Sequence, residues 1–468
     1  MRETAAPGTA AATAAPDRAR RRHRRRAAGI AAVAALLVGY DMGVISGALL
    51  FIKPEFGLTP FESGVVVTTL LVGAVAGSAL AGWLGQAIGR RGTLLVACAL
   101  FVVSSLLMAL APDYGWLLAG RVLGGLAVGA TQSTVPTYLA EIAPKRTRGR
   151  FTSANQLMIA SGILLAAIVN YAFAQDLSWR WSLGLAALPA AAILVALLRQ
   201  PETPRWLILK GRAREARAVL DSVLPADEAA QAFAELTTAS EPAPGPAATG
   251  WRTLAGSRAL RRILVVAVLF SMAQQLIGIN SIVYYAPTIL TQVGFGTSAA
   301  LINTVGFGVL SVLMTLACGW AVDRAGRRPL LIGGGIVLGI AMLAVCAVFA
   351  FDLLDTPAGQ YLTLGMLSIF KAGYSLTWGP VVWIVLPELF PLRARASGVS
   401  VATSAQILVT VLLTLYFPDL VAGSPTGIFL FFGLMGLATA IFVAKALPET
   451  SGKSLETLDR PGSPSPRP

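Results

Sequence analysis

The sequence contains little histidine, cysteine or charge for its length. It has one histidine and three cysteines among 468 residues, and only 13% of its residues are charged, whereas soluble domains carry roughly 25%. His23 lies in an arginine-rich segment, and Cys98, Cys318 and Cys346 lie in apolar runs. This scarcity argues against a histidine- or cysteine-based metal or catalytic site and against a disulfide framework. We therefore expect no metal, no cofactor and no enzymatic activity.

Long apolar runs dominate the chain instead. Hydrophobic residues make up 55% of the sequence. Twelve runs are each about 20 residues long, which lets one helix cross a bilayer with its backbone polar groups bonded internally. The pattern predicts an all-α polytopic membrane protein with twelve transmembrane helices. The runs lie at about 28–51, 63–84, 93–111, 116–139, 152–174, 181–199, 261–289, 298–321, 330–351, 361–386, 397–420 and 427–446.

The positive charge of the chain lies mainly between these runs. The formal net charge is +14, and basic residues follow the second, fourth, eighth and tenth runs, whereas the intervening loops carry aspartate. The positive-inside rule then predicts that both termini are cytoplasmic. Residues 1–27 are predicted to form a disordered basic tail, and residues 447–468 a cytoplasmic C-terminal tail. We interpret the arginines between 20 and 26 as a topology anchor rather than as a nucleic-acid or anionic-lipid patch.

The two halves of the chain repeat one another. Three pairs of short motifs recur in the same order at a nearly constant offset, which indicates internal duplication. The repeat predicts two six-helix bundles, 28–199 and 261–446, joined by a cytoplasmic linker with short helices at 200–258. Two parallel six-helix repeats are the plan of one large class of transporters. The pairs are Gly82–Arg91 with Gly319–Arg328, Glu141–Pro144 with Glu388–Pro391, and Pro201–Thr203 with Pro448–Thr450.

Six motifs carry a resemblance to a known family. They are Gly89–Arg91, Gly120–Arg121 with Gly124–Gly125, Pro201–Leu207, Gln274–Asn280 followed by Tyr284 and Tyr285, Asp323–Arg328, and Pro448–Leu455. In combination they resemble the signatures of the major facilitator superfamily and, within it, of the sugar porter family. The resemblance implies the major facilitator fold. One departure is that Gln86 and Ala87 replace the usual Asp and Arg of the first cytoplasmic-loop signature.

Asp41 is an acidic residue in the middle of the first apolar run. A charge at the bilayer centre costs about 2.5–3.5 kcal/mol on insertion scales, so it needs a partner, water or a proton. Arg121, near the start of the fourth run, is a candidate partner. Burial favours the protonated form of the carboxyl group, whereas a nearby guanidinium favours the carboxylate. A pair of this kind can therefore act as a proton switch. The alternative is a static ion pair that joins two helices. The resemblance favours the switch, since proton-coupled sugar porters carry both residues at matching positions and facilitative glucose transporters lack the aspartate.

Amides inside the apolar runs are the candidates for substrate binding, because amides both donate to and accept from hydroxyl groups. A buried amide can instead join two helices. On a regular helix Gln274, Gln275 and Asn280 point about 100–140° apart, so a break at Gly278 is needed for them to converge. The resemblance implies that the five amides and Trp383 contact sugar. The predicted binding residues are Gln156, Gln274, Gln275, Asn280, Tyr284, Tyr374, Trp383 and Gln406.

Six charged residues lie at the predicted cytoplasmic ends of helices. They are either solvated topology charges or, as the resemblance implies, salt bridges that close an inner gate in the outward-facing state. Exposed pairs are each worth about 1 kcal/mol or less, which suits a gate that must open often. The residues are Arg90, Glu141 and Arg148 in the first half and Arg327, Glu388 and Arg395 in the second.

Together these features predict a proton-coupled symporter of a monosaccharide, a pentose or hexose, in the cell membrane. The alternative is a facilitative uniporter of a sugar or of a polyol such as inositol, with Asp41 structural. A sugar sensor and a drug/proton antiporter are less favoured, because the C-terminal tail is short and the amides suit a polyhydroxylated substrate. The expected partners are a small-molecule sugar, a proton and the lipid bilayer, without nucleic acid, and the chain is expected to be a monomer.

Overall fold

The structure is a computed structural model that describes residues 8–142, 148–174, 178–223, 226–238 and 258–447. Within these ranges the side chains of residues 8–28 and 148–154 are among those that are not described. Every regular element of the described residues is helical. The helices are α1 (Gly8–Glu55), α2 (Pro60–Ala87), α3 (Gly89–Ala109), α4 (Tyr114–Ile142), α5 (Arg148–Phe173), α6 (Trp179–Gly184), α7 (Ala187–Leu198), α8 (Pro204–Leu209), α9 (Ala213–Val223), α10 (Ala226–Thr238), α11 (Arg258–Leu276), α12 (Ile279–Gln292), α13 (Thr297–Ala325), α14 (Arg327–Ala350), α15 (Pro357–Leu376), α16 (Trp378–Glu388), α17 (Leu392–Gly423) and α18 (Pro425–Ala446), with a 3₁₀ turn at Leu353–Asp355.

The apolar runs and the helices coincide. Eleven spans of the described residues are long and apolar enough to cross a membrane, and they match eleven of the twelve predicted runs. The remaining run, the fourth, corresponds to α4, a helix of 29 residues. Its hydropathy is lower because it contains Arg121 together with Gln132 and several glycines and hydroxyl side chains. The prediction of an all-α polytopic membrane protein is confirmed.

The first helix begins earlier than the sequence pattern predicted. Helix α1 starts at Gly8 and runs through residues 8–27, which were predicted to be disordered. The composition of this segment gives a physical reason, since alanine and arginine are among the strongest helix formers. The apolar span within α1 is Ala32–Glu55, close to the predicted membrane segment.

Two of the membrane spans are broken. The span Leu260–Gln292 changes from α11 to α12 at Gly278, which has φ 92° and ψ 13°. A Cβ atom at Gly278 would lie 2.6 Å from the Phe432 ring, so both the left-handed backbone and the close approach require glycine. The break that the sequence predicted here is therefore confirmed.

The second break separates α15 from α16 in the span Pro357–Glu388. It lies at Thr377, with φ −123° and ψ −86°, shortly before Gly379 and Pro380. Pro380 has no N–H group and cannot donate to the carbonyl one helical turn earlier, which explains a break on its N-terminal side.

The density of contacts divides the chain into two compact units. Unit 1 comprises Met1–Gly39, Thr69–Gly162 and Leu183–Ala243, and unit 2 comprises Tyr40–Thr68, Ile163–Ser182 and Pro244–Pro468. Within unit 1, α3 packs on α4 and α7; within unit 2, α14 packs on α18 and α15, and α11 packs on α17. The bundle boundaries predicted from the repeat stay a prediction.

The polar stretch predicted to hold short helices contains α8, α9 and α10 in its described part. These three helices pack on one another. Exposed ion pairs join Arg212 to Glu215 and Arg217 to Asp221 at 2.6 and 3.1 Å. Such exposed pairs add little stability, so packing among the helices organises the segment.

Candidate substrate and proton sites

Four of the predicted amides form one hydrogen-bonded chain within unit 2. Gln406 Nε2 on α17 donates to Gln274 Oε1 on α11 at 2.7 Å, and Gln275 Nε2 approaches the same oxygen at 3.5 Å. Asn280 Nδ2, beyond the Gly278 break, donates to Gln275 Oε1 at 2.8 Å. The break thus brings three amides of one span together, and a fourth comes from a distant helix. We call Gln274, Gln275, Asn280 and Gln406 the amide cluster.

Three of the four amides are buried, Asn280 is half-buried, and the cluster has unused hydrogen-bonding capacity. Gln274, Gln275 and Gln406 are only 1%, 5% and 6% exposed. Gln406 Oε1 is a buried acceptor without a hydrogen-bond donor among the described residues. Burying such an acceptor is costly unless a ligand or water donates to it. The cluster therefore offers an acceptor that a hydroxyl group of a bound molecule can satisfy.

Trp378 supports the amide cluster and was not singled out by the sequence. Its carbonyl oxygen accepts from Gln274 Nε2 at 2.9 Å, and its own Nε1 donates to the Leu331 carbonyl at 2.9 Å. It is fully buried, and its ring centroid lies 5.6 Å from that of Phe270. The carbonyl lies at the start of α16, next to the break at Thr377. The signal available in the sequence was an aromatic residue directly before Gly379 and Pro380, which weaken a helix.

The other predicted substrate residues lie in different surroundings. Tyr374 is half-buried on α15, and its hydroxyl lies beside the Gln274 side chain. Tyr284 is fully buried on α12, whereas Trp383 on α16 is 41% exposed. Gln156 is half-buried on α5 in unit 1. The structure thus joins Tyr374 to the amide cluster.

Asp41 and Arg121 are both buried charges. Asp41 on α1 is 3% exposed, and Arg121 on α4 is 0% exposed. The backbone of α1 around Asp41 is held by unit 2, because Asn170 Nδ2 on α5 donates to the carbonyls of Gly43 and Val44 at 3.3 and 3.0 Å. The preceding residue, Tyr40, donates its hydroxyl to the Ser182 carbonyl at 2.7 Å. Asp41 is therefore presented by a fixed stretch of helix.

The repeated Gly-Arg-Arg motif has the same local geometry in both units. Gly89, the first residue of α3, and Gly326, directly before α14, have φ values of 88° and 80°. The arginine that follows each glycine pairs with a glutamate of its own unit: Arg90 with Glu141 at 3.1 Å and Arg327 with Glu388 at 3.6 Å. The duplication seen in the sequence therefore extends to the ion pairs.

The second arginine of each motif caps the carboxyl end of another helix. Arg91 Nε and Nη2 donate to the carbonyls of Leu197 and Leu198 at 2.9 and 2.8 Å, and Arg328 donates to the Ala444 carbonyl. A cation at this end of a helix complements both the unpaired carbonyls and the helix dipole.

Of two further predicted gate residues, the structure describes the side chain of Arg395 but not that of Arg148. The guanidinium of Arg395 donates to the Phe390 carbonyl at 3.4 Å. Arg148 is the first residue of α5, and its side chain lies outside the described residues. The gate role of the six charges stays a prediction.

Glu202 is a structural anchor that sequence reasoning missed. Its carboxylate accepts the backbone N–H of Arg90 at 3.0 Å, of Arg91 at 3.0 Å and of Gly92 at 3.4 Å. These N–H groups lie in the first turn of α3 and have no acceptor within the helix. The helix dipole also favours an anion at this end. The signal in the sequence was the repeated Pro-Glu-Thr motif, in which Glu202 is the acidic residue.

Replacing Glu202 with Gln is expected to destabilise the protein by about 2 kcal/mol, because charge-assisted hydrogen bonds are worth about 1.5–3 kcal/mol. One amide N–H₂ would then face backbone donors. The measurement is the melting temperature of the purified protein. The matched control is Glu215→Gln, since Glu215 has a 56% exposed side chain and pairs only on the surface. Equal melting temperatures for the two variants would contradict the anchoring role.

The comparisons with known proteins agree with this architecture. A sequence model of the sugar (and other) transporter family matches residues 27–461. The chain belongs to this family. It is a multi-pass membrane transporter of the major facilitator superfamily and not an enzyme.

Relatives of this transporter carry several different sugars. It is 39% identical to the glucose transporter GlcP of Staphylococcus epidermidis, over 92% of this chain and 95% of that protein. It is 35% identical to the galactose-proton symporter of Escherichia coli K12, over 92% of both chains. A structure of the proton:xylose symporter XylE of E. coli, bound to 6-bromo-6-deoxy-D-glucose, is 30% identical with a TM-score of 0.74, over 94% of this chain and 99% of that chain.

Proposed function

We propose that this transporter carries out proton-coupled symport of a monosaccharide, a pentose or hexose, across the cytoplasmic membrane. The observation that carries the proposal is a carboxylic acid, Asp41, that is 3% exposed within a membrane span. An ionisable residue at this depth is costly and marks a proton or substrate pathway. Arg121, the second residue of the predicted proton switch, is 0% exposed.

The amide cluster supports a polyhydroxylated substrate. Its members donate and accept hydrogen bonds at once, as sugar hydroxyls do. Gln274 uses both ends of its amide, toward Gln406 and toward the Trp378 carbonyl, so its orientation is fixed before a ligand binds. A preorganised site loses less freedom on binding. We propose that the amide cluster, with Gln156, Tyr284, Tyr374 and Trp383, binds the sugar.

The proposed cycle couples these two sites by alternating access. Asp41 takes up a proton from the outside, the sugar binds, and the two halves rock so that both are released inside. The ion pairs Arg90–Glu141 and Arg327–Glu388, with Arg148 and Arg395, form the cytoplasmic gate. Both termini are cytoplasmic and the chain acts as a monomer in the bilayer. The galactose-proton and proton:xylose symporters among its relatives support coupling to protons.

Uptake of a panel of labelled sugars in a transport-deficient host tests the proposal. Xylose, arabinose, glucose, galactose and inositol are compared with and without a protonophore. Symport predicts that at least one sugar accumulates above equilibrium and that the protonophore abolishes the accumulation. Uptake that only equilibrates, with no effect of the protonophore, would instead identify a facilitative uniporter.

A further inference from the structure

Lys371 is a buried lysine that the proposed cycle does not use. It lies on α15 near the middle of the span Pro357–Glu388, which has 32 residues, and it is 8% exposed. Either end of the span is roughly 20–25 Å away along the helix axis. A lysine near a helix end extends its ammonium to the membrane surface, but the side chain of Lys371 is far too short for that. The charge is therefore held inside the bundle.

The described residues provide no partner for this charge. Lys371 takes part in no hydrogen bond and no ion pair within that part of the chain. The elements that pack on α15 are α12, α13, α14, α16 and the 3₁₀ turn. Their carboxylates, Asp323, Asp355 and Glu388, all lie at the ends of elements, roughly 20 Å or more along the helix axes from Lys371. Glu388 is moreover paired with Arg327.

The other titratable groups of these elements do not neutralise a cation. Tyrosines and cysteines are uncharged near neutral pH, and arginines repel an ammonium group. These groups are Tyr284 and Tyr285 on α12, Cys318 and Arg324 on α13, and Arg327, Arg328 and Cys346 on α14. Tyr361 and Tyr374 lie on α15 itself.

The position of Lys371 on α15 directs it toward the amide cluster. At about 100° per residue, position 371 lies about 40° from Ser375 and about 60° from Tyr374 around the helix axis. The Ser375 hydroxyl contacts the Ser311 hydroxyl of α13 at 2.7 Å, and the Tyr374 hydroxyl lies beside Gln274 of α11. Lys371 thus lies on the helix face between these two contacts, about one turn, or roughly 5 Å, from Tyr374.

We infer that the substrate of this transporter is a sugar acid, an aldonate or uronate, whose carboxylate pairs with Lys371 while its hydroxyls bind the amide cluster. This inference rests on the proposed function and names the substrate class of the same site. A substrate carboxylate supplies the opposite charge that the described part of the bundle lacks, and an ion pair with hydrogen bonds is the usual way to accommodate a buried cation. The separation of one helical turn matches a small molecule with hydroxyls at one end and a carboxylate at the other.

Exchange in proteoliposomes tests this inference with matched pairs of compounds. Labelled D-galacturonate is compared with D-galactose, and labelled D-gluconate with D-glucose, at zero membrane potential and neutral pH. We expect the wild-type protein to bind at least one acid with at least tenfold higher affinity than the neutral sugar of the same pair. Lys371→Met keeps the length of the side chain and removes its charge. We expect this variant to lose at least tenfold in affinity for the acid, while exchange of the neutral sugar of the same pair is unchanged. Lys371→Arg is expected to retain the preference.

Three outcomes separate failure of this inference from failure of the proposed function. Exchange of neutral sugars with no competition by the acids would overturn the sugar-acid substrate and leave monosaccharide symport standing. An equal loss for both compounds of a pair in Lys371→Met would make the lysine structural and also overturn it. Exchange of neither class by well-folded wild-type protein would overturn both proposals. Stabilisation of the purified protein by sodium galacturonate, relative to sodium chloride at the same ionic strength, provides a readout that does not depend on transport.

Discussion

Asp41→Asn is expected to abolish accumulation of substrate against its gradient while exchange of substrate across the membrane continues. Asparagine keeps the size and the hydrogen-bonding ability of the side chain but cannot take up or release a proton. Asp41 is 3% exposed within the span Ala32–Glu55, so bulk water does not solvate its carboxyl group. The variant resembles a permanently protonated carrier, so the reorientation step survives and its coupling to the proton gradient is lost.

The measurement compares accumulation ratios with and without a protonophore, together with exchange in proteoliposomes at equal pH on both sides. The control is Asp221→Asn, since Asp221 is an exposed aspartate of α9 that pairs with Arg217 on the surface. We expect the control to accumulate substrate like the wild-type protein. If Asp41→Asn accumulates substrate normally, Asp41 has only a structural role and the chain couples transport in another way or not at all.

Gln274→Leu is expected to weaken substrate binding by about a hundredfold. Gln274 accepts from Gln406 at 2.7 Å and donates to the Trp378 carbonyl at 2.9 Å. Leucine removes the contact that orients Gln406 and the amide that offers hydrogen bonds to a substrate hydroxyl, and hydrogen bonds lost at a buried site cost about 1–3 kcal/mol each. A total of about 2.8 kcal/mol corresponds to the hundredfold change. The loss is expected in the apparent affinity of exchange, and the folded protein is expected to persist.

Gln200→Leu is the matched control for this prediction. Gln200 is also a buried glutamine, 5% exposed, and lies in unit 1 outside the amide cluster. The Gln200 Oε1 atom accepts no hydrogen bond from the described residues. Replacing the amide with leucine therefore removes no hydrogen bond to this oxygen within that part of the chain. We expect an unchanged substrate affinity in this variant. Equal affinities in Gln274→Leu and the wild-type protein would show that the amide cluster joins helices and does not bind substrate.

Most of the membrane topology could be predicted from the sequence, because the bilayer acts on each segment separately. A run of about 20 apolar residues must form a helix wherever its neighbours lie. The same local reasoning predicted the break at Gly278, since a glycine among converging amides can adopt the left-handed conformation that it has here. It did not predict the early start of α1 at Gly8, because the hydropathy pattern carries no information about helices outside the membrane.

The candidate site could be predicted only as a set of residues. The sequence supplied the amides, Asp41 and Arg121, because polar groups are rare and costly inside apolar runs. It did not supply the partners that these groups have. Gln274 and Gln406 are 132 residues apart in the chain and meet only because α11 packs on α17. The Trp378 carbonyl and the Glu202 carboxylate were missed for the same reason, since each acts through backbone groups of another segment.

The sequence by itself thus determined the class of the protein: a duplicated, polytopic membrane transporter with ionisable groups at membrane depth. Hydropathy, charge placement and repeats are properties of single segments and do not depend on how the helices pack. Only the tertiary structure decided which amides share hydrogen bonds and which arginine caps which helix. It also decided that Lys371 is buried without a partner among the described residues. The physical reason is that a hydrogen bond or ion pair acts over only a few ångströms, and packing alone brings residues distant in the chain within that range.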